Sequence, residues 1–108
     1  MTNAATSATV TLIRNHVTDV RERQIYARID DGPTRMLLFG DTATFDIAPG
    51  QHRLRSNNTL FWKTVSFSVQ PGEHVTFQLI NRAIWTKLLG VGFFAGGMPL
   101  RLVIEQEG

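Results

Sequence analysis

The sequence predicts an all-β fold, an antiparallel β-sandwich of seven to eight short strands, and three observations predict it. Apolar and polar residues alternate over short runs instead of recurring at helical spacing. Turn-forming residues interrupt those runs every 8 to 12 positions. The stretch Phe45-Asp46-Ile47-Ala48-Pro49-Gly50-Gln51-His52 recurs 22 positions later as Phe67-Ser68-Val69-Gln70-Pro71-Gly72-Glu73-His74. Each copy carries an alternating run into a Pro-Gly step and starts another, as a strand does when it reverses into its antiparallel neighbour. Proline pre-sets its φ and glycine supplies a positive one, which makes Pro49, Gly50, Pro71 and Gly72 structural turn residues.

Residues 1 to 8 are small and polar and read as a flexible tail; 9 to 108 read as a single domain. Thr9 to Arg14 has strand propensity, with Val10 and Leu12 on one face. A charged link, Thr18 to Arg23, precedes Gln24 to Asp30, where Ile25, Ala27 and Ile29 face inward and Tyr26, Arg28 and Asp30 face water. Asp31-Gly32-Pro33 ends that strand, with Gly32 as its turn residue, and Arg35 to Phe39 follows. In Thr42 to Ala48, Phe45 and Ile47 point inward; after the first Pro-Gly step His52 and Leu54 share one face, with Gln51, Arg53 and Arg55 on the other. Phe61 to Val69 is a long strand with Val65, Phe67 and Val69 inside. Beyond the second step Val75, Phe77 and Leu79 point in, leaving His74, Thr76 and Gln78 outside. The phase after the two steps differs, so they share turn chemistry without forming a solenoid repeat. Residues 84 to 98 are apolar, aperiodic and carry four glycines, against a stable helix, and Leu100 to Gln106 is a last alternating strand.

Several function classes are excluded or weakened by composition. With no cysteine there is neither a disulfide framework nor a thiolate metal site. Eleven basic residues against nine acidic give a net charge of +2, too little to steer nucleic acid, so no nucleic-acid partner is expected. The first ten residues have no basic and apolar signal segments; as written the chain reads as cytoplasmic, and as envelope-associated if it is a piece of a longer exported protein.

The run Ile25-Tyr26-Ala27-Arg28-Ile29-Asp30-Asp31-Gly32, the strand through Phe45 to Leu54 with its Pro49-Gly50-Gln51-His52 step, and the later Pro71-Gly72-Glu73 together resemble PEGA-type domains and their uncharacterised bacterial relatives. The resemblance spans roughly residues 9 to 106. It implies a small β-sandwich without catalytic residues, of the kind carried on envelope proteins or lipoproteins. Ala27-Arg28 departs from it, standing where such domains have smaller β-branched residues.

Candidate sites divide into three. His52 and His74 stand at equivalent places after the two turns, but no acidic cluster accompanies them and a metal needs three or four converging ligands, so packing or turn capping is the reading and no metal or cofactor is expected. No serine sits on a glycine-framed elbow, and Asp30, Asp31, Asp41 and Asp46 suit turn and rim positions, so no enzyme is expected. Arg28, Arg53, Arg55 and Lys63 with Tyr26 and Trp62 could line one wet sheet face and hold a glycan or other small polar ligand; the plain alternative is a solvated face. The segment 84–98 is the strongest anomaly. Leu88 to Leu100 is 13 uncharged residues, short of the roughly 20 that span a membrane. Trp85, Leu88, Leu89, Phe93, Phe94 and Met98 either plug one end of the sandwich or form an apolar surface for a protein partner or a second copy, with peripheral membrane contact as a third reading.

Overall fold

A computed structural model describes residues 7–21, 23–83 and 100–107. Those residues form eight strands and no helix: β1 (Ala8–Ile13), β2 (Ile25–Ile29), β3 (Arg35–Leu37), β4 (Thr42–Ile47), β5 (Gly50–Asn57), β6 (Trp62–Val69), β7 (His74–Ala83) and β8 (Leu100–Glu107). Two four-stranded sheets result, ordered β4-β1-β7-β8 and β3-β2-β5-β6, and their apolar faces meet in a sandwich. The alternation predicts which residues fill it. Val10, Leu12, Phe77 and Leu79 of the first sheet and Ile25, Ala27, Leu37 and Leu54 of the second are all buried. Phe67 and Phe77 bridge the layers edge to face, with ring centroids 5.1 Å apart.

Neighbouring strands run antiparallel except β1 and β7, which are parallel with Val10 beside Val75 and Leu12 beside Phe77. A parallel pair needs a long crossover, and residues 14–73 supply it.

The Pro-Gly steps are not hairpins. β4 and β5 lie in different sheets, as do β6 and β7, so both steps are arches that carry the chain across the core. The second has type II form: Glu73 N–H donates to the Gln70 carbonyl at 3.0 Å and Gly72 has a φ of 78°. Type II turns splay flanking strands, whereas tight hairpins use the mirror-image types. The true hairpins are β2–β3, β5–β6 and β7–β8.

Two further expectations are corrected. The sandwich reaches back into the predicted tail: Ala8 is a buried residue of β1, and the Ser7 carbonyl accepts a 2.7 Å hydrogen bond from Gly72 N–H. Gln78, expected outside, is buried, and its side-chain amide donates to Asn15 Oδ1 at 2.8 Å. Residues 84–98 lie outside the described residues; they connect Ala83 to the strand whose first residue, Leu100, pairs with it.

Candidate functional site

The register places the predicted aromatic and basic residues by rows on the outer face of the second sheet. Met36, Tyr26, Asn57 and Trp62 follow one another across β3, β2, β5 and β6. Arg28, Arg55 and Thr64 form the next row, and Arg53 with Ser66 the row beyond. Tyr26, Arg28, Arg55 and Trp62 line a depression of about 300 Å³ together with Thr34 and Asn57. Arg53 opens instead onto a second depression of about 280 Å³ beside Asp30, His52 and Ser66. Lys63 does not join either. It pairs with Ser56, whose hydroxyl is buried, so alternation turns Lys63 to the opposite side from Trp62 and Thr64.

At one end of the sandwich the inner faces turn polar. The inward series Val10-Leu12 continues to Arg14, and the inward series of β5 and β7 continue to Asn58 and Asn81. Arg14 is fully buried and grips Asp19 with two bonds, Nε to Oδ2 at 2.9 Å and Nη2 to Oδ1 at 3.1 Å, while Nη1 donates to the carbonyls of Arg23 and Leu37. Asp19 also accepts from the backbone of Arg21 and Asn81. Asn58 Nδ2 donates to Asn81 Oδ1 at 2.9 Å, and Asn58 Oδ1 accepts from Leu60 N–H and Phe61 N–H, shaping the β5–β6 turn. One network therefore ties the β1–β2 link, the end of β3, β7 and the β5–β6 hairpin together. By sequence Arg14 ends a strand and Asp19 belongs to a charged link. The signal that could have found Arg14 is its place in the inward register of β1.

Outside this network the same end carries exposed apolar side chains among polar ones. Among the described residues the large exposed hydrophobic side chains are Val17, Met36, Leu38, Leu60, Phe61 and Trp62. Val17 sits in the link whose Thr18 hydroxyl accepts from Arg82, Leu38 in the corner pinned to Arg14 through Asp41, and Leu60 to Trp62 at the hairpin held by Asn58. Met36 lies across Tyr26 and Asn57 from Trp62, in the row nearest the hairpin. Thr59, at the hairpin tip, holds a φ of 74°, a left-handed conformation that is unusual for a β-branched residue and is associated with functional sites. Trp85, Leu88, Leu89, Phe93, Phe94 and Met98 lie outside the described residues, in the segment that leaves β7 after Ala83 at this end.

The opposite end carries the arches. His52 Nδ1 meets Asp30 Oδ2 at 2.5 Å and Nε2 meets the Ala48 carbonyl at 2.6 Å. Both partners offer acceptor oxygens, an arrangement that favours the ring form carrying a proton on each nitrogen. The hydrogen bond to Asp30 raises the His52 pKa above its ordinary value, helped by the Ala48 carbonyl and opposed by partial burial. Asp30 is lowered by the same bond, opposed by burial and assisted by Arg53 N–H. His52 thus caps the first arch from inside. His74 stands in the other sheet and bonds Thr11 Oγ1 at 2.8 Å, and His16 Nδ1 accepts from Thr18 in the β1–β2 link. The described residues contain no group of three or more histidine, cysteine or acidic side chains placed to hold a metal ion.

No family model matches the chain, and no curated protein matches it. The likeness to PEGA-type domains rests on the turn motifs alone.

Proposed function

We propose that this chain is a non-enzymatic β-sandwich module that makes protein–protein contact, in the first place with a second copy of itself, through the end where the Arg14–Asp19 network lies. One observation carries the reading: the exposed large apolar side chains of the described residues gather at that end, around the hairpin of Leu60, Phe61 and Trp62. The apolar stretch with Trp85, Leu88, Leu89, Phe93, Phe94 and Met98 follows Ala83, whose strand ends at the same end. Exposed apolar side chains gathered in this way are costly in water and characteristic of contact sites. The network beneath gives it a rigid base, since a partner surface on ordered strands loses little entropy on binding.

Sedimentation over a range of protein concentrations tests this. The wild type should self-associate, and Phe61→Asp or Phe93→Asp should shift it to monomer without unfolding it. A strict monomer whose mass is indifferent to both substitutions would overturn the reading, and co-sedimentation with lipid vesicles would reassign the same end to a membrane surface.

A further inference from the structure

The Arg28–Arg55 pair lies on the sheet face beside that apolar end, which it meets at Trp62, and supports a second site. We propose that the depression between Tyr26 and Trp62 binds a carboxylated sugar ring, with its carboxylate on the paired guanidiniums of Arg28 and Arg55. The two arginines stand directly opposite each other on neighbouring antiparallel strands. Like charges so placed repel and cost stability. Among the described residues little compensates them. Arg28 reaches Asp31 only at 3.9 Å, with the aspartate side chain 94% exposed, and the Arg55 side chain makes no hydrogen bond or ion pair among the described residues. An anion between them would remove the repulsion, and a carboxylate matches the planar fork of a guanidinium in two-bond geometry.

The neighbouring row supplies the rest of the ring. Tyr26 and Trp62 flank Asn57 across three strands, which sets the two aromatic side chains roughly 10 Å apart at the spacing of adjacent strands. Trp62 is 71% exposed and free to stack on the C–H face of a pyranose. Asn57 Oδ1 is engaged by Thr59 N–H at 3.0 Å, which leaves its Nδ2 to donate to a sugar oxygen. Thr34 and Thr64 add hydroxyls at the rim. A depression of about 300 Å³ sits at the small end of ligand sites and suits one ring with its substituents. Two guanidiniums with hydroxyl and amide neighbours suit a single carboxylate on a polyol; a nucleic-acid strand would call for a longer track of basic groups, and the third arginine of this face, Arg53, opens onto a different depression.

Titration of the full chain with tri-galacturonate, read by tryptophan fluorescence in a Trp85→Phe background and by calorimetry at low salt, tests the proposal. Saturable binding below about 1 mM is expected, weakened roughly tenfold or more when the carboxyls are methyl-esterified. Arg55→Gln should weaken binding at least tenfold while raising the melting temperature of the free protein, because it relieves the like-charge pair. Trp62→Ala should weaken binding without that rise. Equal affinity for the esterified sugar, no saturable binding, a preference for a nucleoside monophosphate, or a lowered melting temperature in free Arg55→Gln would each overturn it. Running the titration on Phe61→Asp as well keeps its outcome separate from that of the apolar end.

Discussion

At one end of the sandwich the chain crosses between sheets on Pro49-Gly50 and Pro71-Gly72; at the other it crosses through residues 14–24 and 38–41, wrapped about a charge pair. Each end also holds an acidic residue joined to a basic one. Asp30 and His52 meet at the rim, with side chains 46% and 12% exposed, and backbone turns do most of the closing there. Arg14 and Asp19 are both 0% exposed, and the loops around them are built from their hydrogen bonds. The same kind of pair therefore serves as a trim at one end and as the frame at the other, and the difference is set by water. A wet pair gains little beyond its solvation, whereas a dry pair is expensive to bring in and more expensive to break.

The sharpest way to break that comparison is to remove one dry partner. Asp19→Ala removes the carboxylate that the buried Arg14 guanidinium grips with two bonds and should cost about 3–5 kcal/mol, read from urea denaturation. That is a large part of the 5–15 kcal/mol typical of a small domain. Arg14→Met with Asp19→Leu should recover at least half of the loss, because both halves of the buried pair are then replaced by apolar side chains together. If Asp19→Ala cost no more than a surface change, the frame would have to lie elsewhere.

The arches give the next effect. Gly72 has a φ of 78° and open space where a Cβ would stand, so substitution there is resisted by the backbone alone. Gly72→Val should cost about 1–3 kcal/mol in thermal or urea unfolding. A neutral result would mean that the second arch can close without the left-handed residue that its type II form requires.

What could be read in the sequence follows the same divide. Alternation identified the strands and the core because a half-buried strand must present one face to each medium, and Ile25, Ala27 and Ile29 could hardly be arranged otherwise. The Pro-Gly steps were legible as turns, and proline at the second position with glycine at the third already pointed to type II. Whether the next strand lies beside the last or across the core is decided by packing between sheets, so the arches were read as hairpins. Arg14 is hidden by its chemistry: charge argues for water, register argues for the core, and Asp19, five positions away in a charged link, tips the balance together with the carbonyls of Arg23 and Leu37. The aromatic and basic face proposed to hold a ligand is legible in its residue types, but Lys63 does not belong to it, since alternation places Trp62 and Thr64 there.

The smallest effect belongs to the wet pair, and its sign can be worked out from both partners. His52 has its pKa raised above 6.5, so its contribution is complete below that value and is lost as pH climbs through the folded pKa. Asp30 is lowered below 3.8, so its contribution is complete above that value and is lost as pH falls through the folded pKa. The pair should therefore stabilise the first arch most between these two ordinary values, by less than about 1 kcal/mol because Asp30 is nearly half exposed and solvent screens it. His52→Ala should flatten the wild-type decline in stability above neutral pH, where its loss is least felt, and should show its greatest deficit near pH 5–6. A deficit that grew with rising pH would mean that the neutral ring is the form the arch prefers, contrary to two acceptors facing its two nitrogens.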